Sequence, residues 1–131
     1  MSQANVEVWR ACLEAFNVRD VDGFLRAMDP AIEFECQFGA VQGHFHGHDG
    51  VRKFCADVFD IYEEGRVETP DVRDLGDRLL ILGTAIVNTK GSGIHMEGPV
   101  AIVASFENGL ITHYLDFGNR SKALAAANVA E

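Results

Sequence analysis

Residues 94–117, IHMEGPVAIVASFENGLITHYLDF, hold two apolar-rich runs, Ile94 to Phe106 and Leu110 to Phe117, joined at Asn108-Gly109. Asn-Gly is the strongest short hairpin signal, because the favoured two-residue turn needs positive φ at both central positions. The stretch reads as an antiparallel pair whose alternate side chains face opposite sides of a sheet. Two further runs precede it, Arg66 to Leu75 and Arg78 to Thr89, punctuated by Gly76-Asp77 and Gly91-Ser92-Gly93. These turn signals make consecutive strands antiparallel neighbours.

Upstream the period changes. Val51, Phe54, Cys55, Val58, Phe59 and Tyr62 recur at helical spacing, which predicts a helix. Before it, Ile32, Phe34, Cys36 and Phe38 alternate with Glu33, Glu35 and Gln37, which predicts a half-buried strand over Ala31 to Phe38. A Gly-rich and His-rich connection links the two. Trp9, Cys12, Leu13 and Phe16 form the stripe of a first helix over Val6 to Asn17. Asp20 suits the N-cap of a short second helix bearing Phe24, Leu25 and Met28, which Pro30 ends at Asp29. An alanine-rich tail, Ser121 to Ala130, suits a short last helix. Helices segregated from strands give the α+β class, with an antiparallel sheet that buries one face under the helices.

The chain of 131 residues suits a single domain. Hydrophobic residues make up 47% and charged residues 24%, ordinary globular usage. Twenty acidic against eleven basic side chains, net −9, would repel phosphate backbones and anionic lipid, so neither nucleic acid nor membrane is expected as partner. Met1 to Asn17 lacks the pattern of a secretory signal, and no run approaches a membrane span, so a cytoplasmic location is expected. Cys12, Cys36 and Cys55 fit neither a disulfide framework nor a paired zinc motif and are expected as free thiols. The sheet face turned away from the helices carries Ala101, Val103, Ile111, Leu115 and Phe117, an apolar surface that predicts a homodimer through the outer face.

Phe16-Asn17-Val18-Arg19-Asp20, Phe45-His46-Gly47-His48-Asp49-Gly50-Val51 and Phe106-Glu107-Asn108-Gly109-Leu110-Ile111 resemble segments of the nuclear transport factor 2-like superfamily, in particular its SnoaL-like branch. The resemblance runs from about Val6 to about Ala127 and implies an α+β fold whose curved antiparallel sheet wraps around the helices as a cone-shaped half-barrel with one pocket. The superfamily includes steroid isomerases, polyketide cyclases, epoxide hydrolases, dehydratases and pure binding proteins, so the fold alone does not choose a reaction. In the isomerases a first-strand aspartate moves a proton while a tyrosine and a protonated carboxyl steady the developing oxyanion. Aligned on this chain, the first-helix tyrosine falls on Cys12, the first-strand aspartate on Cys36, a third-helix tyrosine on Cys55 and the fourth-strand carboxyl on Ile102. All four depart from the pattern, so neither the isomerase mechanism nor that of the polyketide cyclases, which also use the fourth-strand carboxyl, transfers.

The same alignment implies a pocket lined by Cys12, Phe16, Phe34, Cys36, Phe54, Cys55 and Ile102, with Thr112, Tyr114 and Asp116 turned inward from the last strand. The thiols read either as small core hydrophobes or as a site for an electrophile or soft metal. Asp116 reads either as general acid or base with Tyr114 as hydrogen-bond donor, or as a rim carboxylate paired with Arg120 or a backbone amide. His46, with His44 and His48, and His95, beside Glu97, are minor candidates; no metal and no cofactor is expected. Three readings follow. The first is a cofactor-independent isomerase, cyclase, dehydratase or hydrolase acting on a small apolar oxygenated molecule. The second is a binding module for an apolar ligand, and the third a dimerisation scaffold whose pocket is filled by Phe34, Phe54 and Met28.

Overall fold

The computed structural model describes residues 2–129. Its elements run α1 (Ser2–Asn17), α2 (Val21–Arg26), β1 (Met28–Cys36), β2 (Gly43–His46), α3 (Gly47–Ile61), β3 (Tyr62–Asp74), β4 (Arg78–Thr89), β5 (His95–Glu107), β6 (Leu110–Asp116) and α4 (Arg120–Ala126). The strands form one curved, unclosed sheet in the order β2-β1-β6-β5-β4-β3. Helices α1 to α3 cover its inner face around a core that includes Trp9, Phe24, Ile32, Phe34, Val51, Ile81 and Ile102.

The predicted antiparallel pairings hold except at one junction, where β1 lies parallel to β6. Turn signals report neighbours in sequence, and this junction joins strands far apart in the chain. The expected connection before α3 contains β2, which pairs Phe45 with Phe34 and His46 with Glu33. The second helix ends at Arg26 instead of Asp29, and Met28 belongs to β1 because the Ile111 amide already bonds the Ala27 carbonyl there. Pro30 has no N–H to give a ladder. The β1–β6 register shifts between Met28 and Glu33, and Ala31 N–H donates to the Asp29 side chain instead.

Ile111, expected on the outer face, is fully buried in the inner core. A register shift in the β5–β6 ladder, with Ser105 opposite His113 and Phe106 opposite Ile111, inserts Thr112 as a bulge and reverses the alternation before it. The outer face is also less bare than expected. Helix α4 packs Ala123, Leu124 and Ala127 over Leu80, Leu82 and Ala101, leaving Val103, Leu115 and Phe117 half-buried beside it. Ala130 lies outside the described residues.

The segment Phe16 to Asp20 works as a joint. Asn17 exchanges two hydrogen bonds with the Val67 backbone, at 2.9 and 2.8 Å, fastening the end of α1 to β3. Arg19, at φ 61°, donates to the carbonyls of Phe59, Tyr62 and Glu63 and lies over the Phe59 ring. Those carbonyls belong to the last turn of α3 and its exit, where a cation is favoured. The Asp20 side chain then accepts from Gly23 N–H and caps α2.

Candidate active site

A cavity of about 400 Å³ lies between the inner sheet face and the helices. Trp9, Leu13 and Phe16 of α1 and Phe54 and Val58 of α3 form one wall, and Val67, Ala85, Val87, Val100 and Ile102 form the sheet wall. Residues 38–41 close over one side. The Phe38 ring occupies the space that side chains at Gly98 and Gly118 would need, so those two glycines admit the cover. With this cavity open, and Phe34 and Met28 packed in the core behind it, the filled pocket of the scaffold reading is not found.

Polar groups of the wall come from β6 with Tyr114 and Asp116, from β5 with Glu97 and from β3 with Tyr62. Tyr114 pairs with Phe34 on one side and Ala104 on the other, and Asp116 with Cys36 and Ile102. The carboxylate therefore stands between the two positions where the superfamily's carboxyls were expected. Asp116 Oδ1 accepts both of its hydrogen bonds, from Ala101 N–H at 3.2 Å and Gly118 N–H at 2.9 Å. Oδ2 has no hydrogen-bond partner among the described residues. Arg120 leans instead toward Asp71, 4.0 Å away. Burial raises the Asp116 pKa above the ordinary aspartate value, and the two amides offset part of that rise.

Tyr114 is only 9% exposed, stacked on Phe34 and tilted against Trp9. Its hydroxyl bonds no described residue, yet among the described residues no buried side-chain oxygen is without a partner, so the hydroxyl keeps some exposed surface, and Tyr114 lines the cavity. Burial first, and then Asp116 and the three thiols, hold the phenol well above its usual pKa. It stays protonated and can donate. Tyr62, at the start of β3, is likewise 9% exposed, lines the cavity and has a hydroxyl with no described partner.

Of the residues expected on the wall, Phe16, Cys36, Phe54, Ile102, Tyr114 and Asp116 line it. Cys12, Phe34 and Cys55 do not; they are buried in the core, where Cys12 Sγ donates to the Phe24 carbonyl of α2. The three thiols are free and buried. Burial pushes the Cys36 thiol up to about 11 and Cys55 to about 12, and Cys12 higher still. Cys36 Sγ donates to the Phe38 carbonyl at 3.1 Å. Thr112, expected inward, sits in the bulge and donates to the Ser105 carbonyl.

The histidines lie elsewhere. His44 and His46 each bond one oxygen of Glu33, at 2.9 Å, on the exposed outer face. His48 opens α3 and bonds the Met28 carbonyl. His95 bonds Asn88 and Glu97; Glu97 is among the residues that line the cavity, and His95 is not. Among the described residues no group of three or more His, Cys, Asp or Glu is arranged to hold a metal ion, and no helix is long and apolar enough to cross a membrane. Sequence reasoning missed Tyr62 as a cavity residue and Phe38 as its cover. For Tyr62 the helical stripe ending there was a signal of burial but not of the face it takes.

No curated protein matches the chain by sequence. Among solved structures it is similar to a nuclear transport factor 2-like protein of unknown function from Burkholderia pseudomallei, with 28% identity over 93% of this chain and 95% of that one, TM-score 0.81. It is similar to TerC, co-crystallised with polyporic acid, with 24% identity over 95% and 98%, TM-score 0.80. It also resembles a protein of ketosteroid isomerase-like fold from Catenulispora acidiphila in complex with trimethylamine, at 17% identity over 95% and 94%, TM-score 0.78. The last two, below a quarter identity, speak to fold alone. The SnoaL-like domain family matches residues 9–114, spanning α1 to the Tyr114 rung of the cavity, and the chain belongs to that family.

Proposed function

We propose that this chain is a cofactor-independent enzyme that moves a proton on a small, apolar, uncharged oxygenated molecule, in the manner of an isomerase, cyclase, dehydratase or hydrolase. The observation that carries the reading is the asymmetry of Asp116. Both amide bonds fall on Oδ1, Oδ2 has no hydrogen-bond partner among the described residues, and Asp116 lines a largely apolar cavity whose other carboxylate is Glu97. A carboxyl with a raised pKa is a competent general acid or base near neutral pH. Tyr114, two residues back on the same strand face, would donate to the substrate oxygen as charge develops there. No Lys, Arg or His lines the cavity among the described residues, so an anionic substrate would face Asp116 without a counter-ion.

The test is the Asp116→Asn variant. Ligand affinity should stay within a few-fold, while turnover falls roughly 10²–10⁴-fold, the usual scale of general acid–base catalysis. A variant that turns over like the parent removes the role. The second reading, a binding module, draws on Cys36 and Ile102, which stand where the superfamily's carboxyls were expected. It predicts affinity without turnover in either protein.

The protein would act as a single-domain homodimer in the cytoplasm. Half-buried Val103, Leu115 and Phe117 on the outer face support the dimer, and three unpaired cysteines suit a reducing compartment.

A further inference from the structure

The cavity is lined by a second phenol, Tyr62. Tyr62 is the first residue of β3, held by Arg19, whose guanidinium takes the Tyr62 carbonyl at 2.7 Å. Glu63 is an extra residue in the β3–β4 ladder, since Tyr62 pairs with Thr89 and Glu64 with Asn88. That bulge shifts the alternation by one and turns Tyr62 to the face that carries Val67 and Val87 on the wall. Its side chain is nine-tenths covered, and its hydroxyl meets the same condition as that of Tyr114: no described partner, yet not sealed. β3 and β6 are separated by β5 and β4 in the sheet. Tyr62 and Tyr114 therefore stand on well-separated strands of the sheet, with Phe16, Val58, Val67 and Val87 among the apolar residues of the lining.

A phenol hydroxyl held in an apolar wall is worth having only when a ligand atom satisfies it, because desolvation without a partner costs free energy. We propose that Tyr62 is the distal anchor of the ligand site, and that the ligand is an uncharged, rigid apolar body with an oxygen function at each end. One end meets Tyr114 and Asp116, and the other meets Tyr62. This rests on the cavity being a ligand site, as proposed above.

Calorimetric titration with linear para-linked phenols of one, two and three rings, each with a hydroxyl at one end or at both, tests the assignment. At the length that spans the cavity, the second hydroxyl should raise affinity about three- to tenfold, the scale of one neutral hydrogen bond. Tyr62→Phe should abolish that gain and leave the single-hydroxyl compounds unchanged. Tyr114→Phe should weaken both compounds of a pair and leave their ratio intact. Binding of the phenols with no gain at any length, or a gain that survives Tyr62→Phe, overturns the anchor while leaving the cavity as a ligand site. No binding of any phenol by the folded protein removes the ligand-site reading, and the anchor with it.

Discussion

The Tyr114 ring lies face to face on the Phe34 ring, with centroids 4.3 Å apart and planes 6° from parallel. The two residues are directly paired across the parallel β1–β6 ladder, so the stack is built by the sheet itself and fixes the direction of the phenol. Phe34 also meets Phe24, Phe45 and Phe54, joining α2, β2 and α3 through one ring.

Removing that ring should be costly. Phe34→Ala is expected to destabilise the fold by about 3–5 kcal/mol, the range for a buried phenylalanine whose cavity does not collapse. Urea unfolding measures it; a loss below about 1 kcal/mol would mean that the stack is not the hub described.

Asp116→Asn should stabilise the protein at neutral pH. The folded-state pKa of Asp116 is raised, so as pH climbs through the ordinary aspartate range the unfolded chain releases its proton first and wild-type stability falls. Asparagine can still accept the two amide bonds and has no charge to desolvate. The advantage of the variant should therefore grow as pH rises from about 3.8 and vanish below it. A variant less stable than wild type at neutral pH by denaturant midpoint would show that Asp116 is stabilised in its charged form.

Alkaline pH should unfold the chain early. Burial raises the thiols of Cys12, Cys36 and Cys55 and the Tyr114 phenol, so above the ordinary thiol pKa of 9.0 the unfolded state binds fewer protons than the folded one. Stability then falls as pH rises. In the native state near neutral pH iodoacetamide should label all three slowly, and Cys36, the one thiol of the three on the cavity wall, first. Rapid native labelling of Cys12 or Cys55, followed by mass spectrometry, would contradict their burial.

Much of this arrangement is legible in the residues. The boundaries of β4 match the predicted run Arg78 to Thr89, and the alternation of Ile32, Phe34 and Cys36 gives the buried face of β1. Three things are not legible. Strand β2 is four residues long between Gly43 and Gly47, both at positive φ, and lacks an apolar alternation to announce it. The bulges at Thr112 and Glu63 change which face Ile111 and Tyr62 take, and periodicity carries no mark of an inserted residue. The parallel β1–β6 junction depends on how the sheet coils over the helices, a tertiary choice that sets Asp116 beside Cys36.

The outer face gives the proposed dimer its test. Leu115→Asp would place a charge in a buried contact and should yield monomers or aggregates. Sedimentation of the wild type as a 14.3 kDa monomer at micromolar concentration would contradict the dimer.

The central claim is that Asp116 moves a proton to or from a carbon of a molecule held in the cavity. Deuterium exchange tests it most directly, because any ketone that fits the cavity can report the transfer. Neutral cyclic ketones and enones small enough for a cavity of about 400 Å³ are incubated in deuterium oxide with the wild type and with Asp116→Asn, and wash-in beside the carbonyl is followed by proton NMR. The wild type should exchange at least one compound faster than buffer does, and the folded variant should lose roughly 10²–10⁴-fold of that rate. Equal exchange by the two proteins, or none by the wild type with a ketone shown to occupy the cavity, would contradict the claim.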